Sequence, residues 1–240
     1  MPYPYMTLLK IGPLTLFTFG FFMLVGFLLA LHVALRRAKG RIAEDHIYNV
    51  AIIALIAGLV GSRIAFILFN SSLFTSFWEY FAIWEGGMSF FGGFILALLS
   101  IFVYTKKKRI SFPQVLDIFA PGLALAIAIT RIGGFLAGAN PGLETNVAWA
   151  FQGTHPVAIY HSLANFIVFF VLIKIDKSKL GEKFRAGYLF AFFMLLFGLE
   201  RFVNDFFRAY DTQATILAAR IAPLVLAALA LFLLTKLRKS

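Results

Sequence analysis

Seven apolar runs, broken by short polar stretches, organise the chain: about 13 to 35, 47 to 69, 88 to 105, 112 to 131, 156 to 174, 186 to 206 and 213 to 235. Each is about long enough for a helix that crosses a bilayer, which takes roughly 20 residues. The fourth and sixth carry charges near their ends. No repeat and no low-complexity linker separates the runs, so one polytopic domain, 1–240, is expected. The first run lacks a basic stretch ahead of it and is followed by Arg36 and Arg37. That is the pattern of a retained span with its start outside, not of a cleaved signal.

Composition turns these runs into a class. The chain is 61% hydrophobic and 14% charged over 240 residues, and a soluble fold of that size cannot hide so much apolar surface. The expectation is an all-α integral membrane protein with seven transmembrane helices. With no cysteine, disulfides, thiolates and Cys-ligated metals are excluded. His32, His46, His155 and His161 show no metal-ligand spacing, so neither metal nor cofactor is expected.

Charge sets the orientation. Arg36, Arg37, Lys39 and Arg41 follow the first run, Lys106 to Arg109 the third, and Lys174, Lys177, Lys179, Lys183 and Arg185 the fifth; Lys236, Arg238 and Lys239 end the chain. These sixteen of the 22 basic residues lie on alternate connections, which the positive-inside rule places in the cytoplasm. The N-terminus is then outside and the C-terminus cytoplasmic. Basic edges beside anionic lipid account for the net charge of +11, and no basic face with interleaved aromatics suggests nucleic acid.

The remaining basic residues, Lys10, Arg63, Arg131, Arg201, Arg208 and Arg220, lie on the outer side or within a span, against that rule. An arginine there needs a partner or water. Arg201, Asp205 and Arg208 fall at i, i+4 and i+7, one stripe of a helix. They form either a self-satisfying brace or an anion cradle, since a guanidinium fork matches a phosphate bidentately. Arg131 is expected to close the fourth span and enter a glycine-rich outer loop through Gly142; three arginines on one leaflet favour a phospholipid phosphate. Arg63 either adds to that site or pairs with an acid such as Glu79 or Glu85.

Glycine pairs mark another stretch, Trp84-Glu85-Gly86-Gly87-Met88-Ser89-Phe90-Phe91-Gly92-Gly93. They either expose backbone N–H groups to an anionic headgroup or let helices approach closely.

These residues fall in the order of a known family. Gly61-Ser62-Arg63, Gly86-Gly87-Met88-Ser89-Phe90 with Gly92-Gly93, Asp117 with Ala120-Pro121, Arg131-Ile132-Gly133, His155-Pro156 with Tyr160, and Arg201, Asp205 and Arg208 succeed one another along the chain. In this order and spacing the chain resembles the prolipoprotein diacylglyceryl transferases, from Ile11-Gly12-Pro13-Leu14 through Arg208. The resemblance implies a seven-span enzyme of the bacterial inner membrane. It would move diacylglyceryl from phosphatidylglycerol to the lipobox cysteine of a prolipoprotein and release glycerol phosphate.

Several polar signature positions depart from the family pattern: a histidine before the second glycine pair is Phe91, the first-span His-Trp-Tyr-Gly reads Phe17-Thr18-Phe19-Gly20, the asparagine after Arg-x-Gly is Gly134, the later Asn-Gly-Glu is Ala137-Gly138-Ala139, and a tyrosine before Arg201 is Phe197. Phosphate binding survives such losses through the arginines, whereas thioether formation needs a thiolate and Phe91 takes no proton. His161, inside a span, is the candidate replacement base, with Asp205 the runner-up. His155 and His161 lie about 9 Å apart along a helix and about 240° around it, on different faces. Asp117 is expected to pair with the Lys106 to Arg109 run.

The catalytic set expected is therefore Arg131, Arg201 and His161. The substrate-binding set is Arg63, Gly86, Gly87, Ser89, Gly92, Gly93, Gly133, His155, Tyr160, Asp205 and Arg208. The partners are phosphatidylglycerol and a prolipoprotein signal peptide. The alternative is a non-catalytic homologue that binds or presents phospholipid; a transporter is less compatible, with no repeat halves or paired broken helices.

Overall fold

Leu14–Phe17, expected inside the first span, instead form a strand (β2) that pairs antiparallel with Thr7–Ile11 (β1), Lys10 opposite Thr15 and Ile11 opposite Leu14. Gly12-Pro13 is a turn-forming pair by sequence, so a hairpin precedes the first helix. The computed structural model describes residues 6–11, 14–71, 76–81, 87–139, 141–210 and 213–239.

Among them are seven long α-helices: α1 (Thr18–Ala38), α2 (Glu44–Phe69), α3 (Phe90–Lys108), α4 (Phe112–Leu136), α5 (Val157–Lys177), α6 (Tyr188–Asp205) and α7 (Gln213–Leu237). Their ends follow the helix dipole: Glu44 and Asp45 open α2, Arg36 and Arg37 close α1, and Lys106 to Lys108 close α3. Five are long and apolar enough to cross a membrane: α1, α2, α4, α5 and, within α7, Ala219–Leu237. The chain is a multi-pass helical membrane protein.

Two expected boundaries move. Helix α4 runs five residues past Arg131, so Arg131 projects from a helix and does not open a loop. Glycine is a poor helix former, but Gly133 sits where a Cβ would come 2.5 Å from Cβ of Phe22 on α1, so close packing holds the helix through it. At the other boundary α6 stops at Asp205. Arg208 leaves the expected stripe because its segment bonds to the chain after α4: Leu143 N–H donates to Phe207 O (2.9 Å) and Ala209 N–H to Pro141 O (3.1 Å).

The contacts divide into two compact units, Met1–Arg37 with Leu116–Ser240, and Ala38–Val115. In the first, Ala120 and Ala124 of α4, Val168 and Leu172 of α5, and Leu189 and Phe193 of α6 form a buried core. Small residues bring α1 onto α4: a Cβ on Gly122 would lie 2.7 Å from Ala30 O, and one on Gly26 2.8 Å from Ala126 O. Arg37, almost fully buried, ties α1 to α5 through Asp176 (2.5 Å) and donates to the carbonyls of Asp117 (3.0 Å) and Ile118 (3.1 Å). Asp117 does not serve the expected basic run. Its carboxylate accepts from the N–H groups of Gly187 (2.6 Å) and Phe190 (2.8 Å), capping the donors that the start of α6 would otherwise leave unpaired.

In the second unit, α2 and α3 meet glycine against glycine. A Cβ on Gly61 would come 2.5 Å from Gly92 O, and one on Gly93 2.7 Å from Gly58 O. The pair Gly92-Gly93 thus serves close helix approach, the second of the two readings open from sequence. At the other end of this pair of helices, Tyr104 OH bonds His46 Nδ1 (2.9 Å) and Asn49 Nδ2 (3.1 Å).

Candidate functional site

Charged residues converge within the first unit, from the last turns of α6, the first turns of α5 and the end of α4. Helix α6 presents Glu200, Arg201, Asn204 and Asp205, and α5 presents His161 and Asn165. Successive i, i+4 spacing puts His161 with Asn165, Glu200 with Asn204, and Arg201 with Asp205 on shared faces.

Glu200 is the hub. His161 Nδ1 lies 2.9 Å from Glu200 Oε2, Asn204 Nδ2 donates to the same oxygen (2.9 Å), and Asn165 Nδ2 donates to Oε1 (2.8 Å). Three side chains thus converge on one carboxyl group. Arg201 Nη1 is 3.2 Å from His161 Nε2. Because a guanidinium only donates, Nε2 must be the acceptor there; the ring proton then sits on Nδ1 and is given to Glu200. His161 is fully enclosed, and both ring nitrogens are engaged.

Asp205 is the second acid, fully buried. Tyr210 OH donates to its Oδ1. Arg201 Nη2 stands 3.8 Å from the same oxygen, and Arg220 Nε of α7 stands 3.9 Å from Oδ2. The flanking arginines are thus Arg201 and Arg220, and Arg208 instead lies over the Tyr210 ring at 4.9 Å. Arg220 lies over Phe206 at 4.4 Å. Tyr210, beyond the end of α6, ionises above its ordinary range: burial disfavours the phenolate, and the bond to Asp205 favours the O–H.

Arg131 lies within electrostatic reach of Glu200, Arg201 and Arg208. Around two carboxylates, Glu200 and Asp205, stand four guanidinium groups, Arg131, Arg201, Arg208 and Arg220. Nε of both Arg208 and Arg220 is shielded from solvent and lacks a hydrogen-bond partner among the described residues. The cluster carries excess positive charge and open donors inside a low-dielectric region, the condition for binding an anion.

His155 and Tyr160 belong to a separate polar and aromatic group in this unit. Tyr160 OH bonds His155 Nδ1 (3.1 Å) and accepts from Trp149 Nε1 (2.8 Å), and Phe207 packs on both rings. His155 precedes α5 and is not part of it. It takes these partners, while His161 faces Glu200 and Arg201.

The remaining expected site residues lie in the other unit. Arg63, buried in α2, donates to the backbone carbonyls of Tyr80 (3.1 Å), Gly87 (3.1 Å) and Glu79, not to a carboxylate among these contacts. Gly87 has φ +71°, and Ser89 N–H donates to Ser62 O (2.9 Å). Arg63 therefore fixes the segment leading into α3. Gly86, Glu85 and the side chain of Phe91 lie outside the described residues.

Glu200, Asn165 and Asn204 were not expected from the sequence. Their signal was present, since an acid inside an apolar run is a functional candidate by default and each asparagine sits four residues from His161 or Glu200.

Comparison with known proteins shows the family. The model of the prolipoprotein diacylglyceryl transferase family matches residues 6–236. A phosphatidylglycerol–prolipoprotein diacylglyceryl transferase of Geobacter sulfurreducens is 33% identical, covering 94% of this chain and 90% of the relative. One from Bordetella parapertussis is 32% identical over 95% and 94%, and one from Finegoldia magna 32% identical over 77% and 75%. With the match running through both units and all of the arginine cluster, the chain belongs to the prolipoprotein diacylglyceryl transferase family.

Proposed function

We propose that this protein transfers diacylglyceryl from phosphatidylglycerol to the lipobox cysteine of a prolipoprotein. It does so as a single polytopic domain of the bacterial inner membrane, with seven spans, its N-terminus outside and its C-terminus cytoplasmic. The observation that carries this reading is the excess of guanidinium groups around Glu200 and Asp205, at the outer ends of α4 and α6 in that topology. The name that the relatives carry, phosphatidylglycerol–prolipoprotein diacylglyceryl transferase, supports the substrates.

In the reaction the acceptor thiol sulfur bonds to the glycerol carbon that carries the phosphate. The carbon–oxygen bond breaks, its electron pair stays on the departing glycerol phosphate, and the thiol proton is released. Arg131, Arg201 and Arg208 bind the phosphodiester and stabilise the charge that grows on the leaving oxygen, which is the dominant service an enclosed site can provide. Asp205 holds Arg201 and Arg220 in place and takes the Tyr210 hydrogen bond. His155 and Tyr160, with Trp149, form a polar edge for glycerol or peptide backbone groups. In the other unit, taken by itself, Arg63, Gly87 and Ser89 contact lipid at the segment that leads into α3; Gly86 lies outside the described residues. Gly92, Gly93 and Gly133 let helices approach.

The test is transfer of labelled diacylglyceryl from phosphatidylglycerol to a lipobox peptide by purified protein in lipid nanodiscs, beside Arg131→Ala. Thioether product from wild type and its loss in the variant are expected. Absence of product from wild type, with phosphatidylglycerol still bound in an Arg131-dependent way, would replace the transferase with a lipid-binding homologue.

A further inference from the structure

We propose that Glu200 and His161 act as a positioning pair for Arg201, with His161 a neutral bridge and not the base that accepts the thiol proton. This rests on the transferase reading above. A base needs an open lone pair within reach of the substrate. Nε2 of His161 is committed to Arg201 Nη1 at 3.2 Å, and Nδ1 to Glu200 Oε2 at 2.9 Å. The charged groups facing the ring are Arg131 from α4 and Glu200 and Arg201 from α6. Protonating Nε2 would set an N–H against the N–H of Arg201, with Arg131 adding a further positive charge. The ring therefore stays neutral, and its Nδ1–H tautomer is fixed by the Glu200 oxygens that Asn165 and Asn204 hold in place.

The same contacts fix Arg201 at both ends of its fork. Nη1 donates to His161, and Nη2 faces the Asp205 charge at 3.8 Å. The guanidinium is held in one orientation before lipid arrives, so its remaining N–H groups meet the phosphate without reorganisation. The proton still has a destination. As the sulfur–carbon bond forms and the carbon–oxygen bond breaks, the departing phosphate gains a negative charge, and the thiol proton ends on that oxygen. Reactants and products balance with no protein base, which is compatible with phenylalanine at position 91.

Three readouts separate the bridge from the base. In His161→Gln, the side-chain amide accepts from Arg201 and donates to Glu200 as the imidazole does. Transfer is expected within about tenfold of wild type, with the pH profile of kcat/KM unchanged in shape between pH 5.5 and 8. His161→Ala and Glu200→Ala are expected to lose about a hundredfold, a size typical of one misplaced charge-stabilising donor. In ¹⁵N-histidine spectra, the signals removed by His161→Gln are expected to show a protonated Nδ1 and an unprotonated Nε2 across that pH range.

A folded His161→Gln as inactive as His161→Ala, or a wild-type acid limb that His161→Gln abolishes, would overturn the bridge and restore the base. Titration of the His161 ring between pH 5.5 and 8 would do the same without any turnover. If wild type transfers nothing, the function reading fails by itself. The bridge is then judged by those spectra and by binding of short-chain phosphatidylglycerol, expected to weaken in Glu200→Ala and to persist in His161→Gln.

Discussion

His161 Nδ1 and Glu200 Oε2, 2.9 Å apart, join α5 to α6 through a bond between side chains that are both almost entirely enclosed. It adds to the apolar core between these two helices a polar contact whose partners are shielded from solvent. Asn165 and Asn204 then satisfy what the histidine leaves open on the carboxylate. Removing either asparagine should lower stability modestly. Interhelical hydrogen bonds in membranes contribute about 0.6 kcal/mol on average and about 1.7 at most. Asn165→Ala should fall in that range by reversible unfolding in mixed micelles, with coupling to Glu200→Gln in a double-mutant cycle.

The Arg37 to Asp176 pair lies deeper in the energetic account of the fold. With the arginine side chain 7% and the aspartate 16% exposed, neither charge is hydrated alone. Breaking one half of such a pair costs about 3 to 5 kcal/mol. Asp176→Asn or Arg37→Met alone should reduce unfolding temperature strongly, whereas the double replacement Arg37→Met with Asp176→Leu should recover most of the loss.

Gly61 and Gly58 sit one helical turn apart on α2 and should respond oppositely to alanine. A methyl group at 61 meets Gly92 O and Leu96 Cβ at 2.5 and 2.6 Å, while at 58 nothing lies within 4 Å. Gly61→Ala should destabilise by about 1 to 3 kcal/mol through overpacking. Gly58→Ala should be neutral or stabilising by up to about 1 kcal/mol from helix propensity. Thermal unfolding of the two variants side by side checks the sign at each position.

Arg208 reaches the cluster from outside the helix, and its Nε has no hydrogen-bond partner among the described residues. Arg208→Ala should reduce transfer by about a hundredfold while lowering unfolding temperature only slightly, through loss of its contact with the Tyr210 ring. Arg208→Lys should restore little, because a single ammonium does not reproduce the planar fork.

Tyr210 gives a pH dependence with a defined sign. Its folded-state ionisation lies above the ordinary 10.0 because burial and the bond to Asp205 favour the neutral phenol. The stability it contributes is fully present below pH 10 and is lost as pH rises through the higher folded value. Unfolding temperature measured from pH 8 to 11.5 should fall at the alkaline end in wild type, and Tyr210→Phe should remove that component of the fall.

The sequence by itself determined the membrane class, the approximate helix positions and the identity of the arginines, because length, hydropathy and charge are local properties that no tertiary contact has to supply. Even the chemistry of the family was legible in the order of its motifs. Tertiary structure decided what those residues do to one another. Whether α4 ends at Arg131 or passes through Gly133 depends on how closely Phe22 approaches, and whether Arg208 continues a helical stripe depends on backbone bonds to Pro141 and Leu143. Both are contacts between segments far apart in sequence. Glu200 shows the limit most clearly. Its spacing to Asn204 is written in the chain, but its meeting with His161, 39 residues away, arises from the packing of α5 on α6. That packing turned an isolated intramembrane histidine, open to reading as a base, into one link between a carboxylate and an arginine.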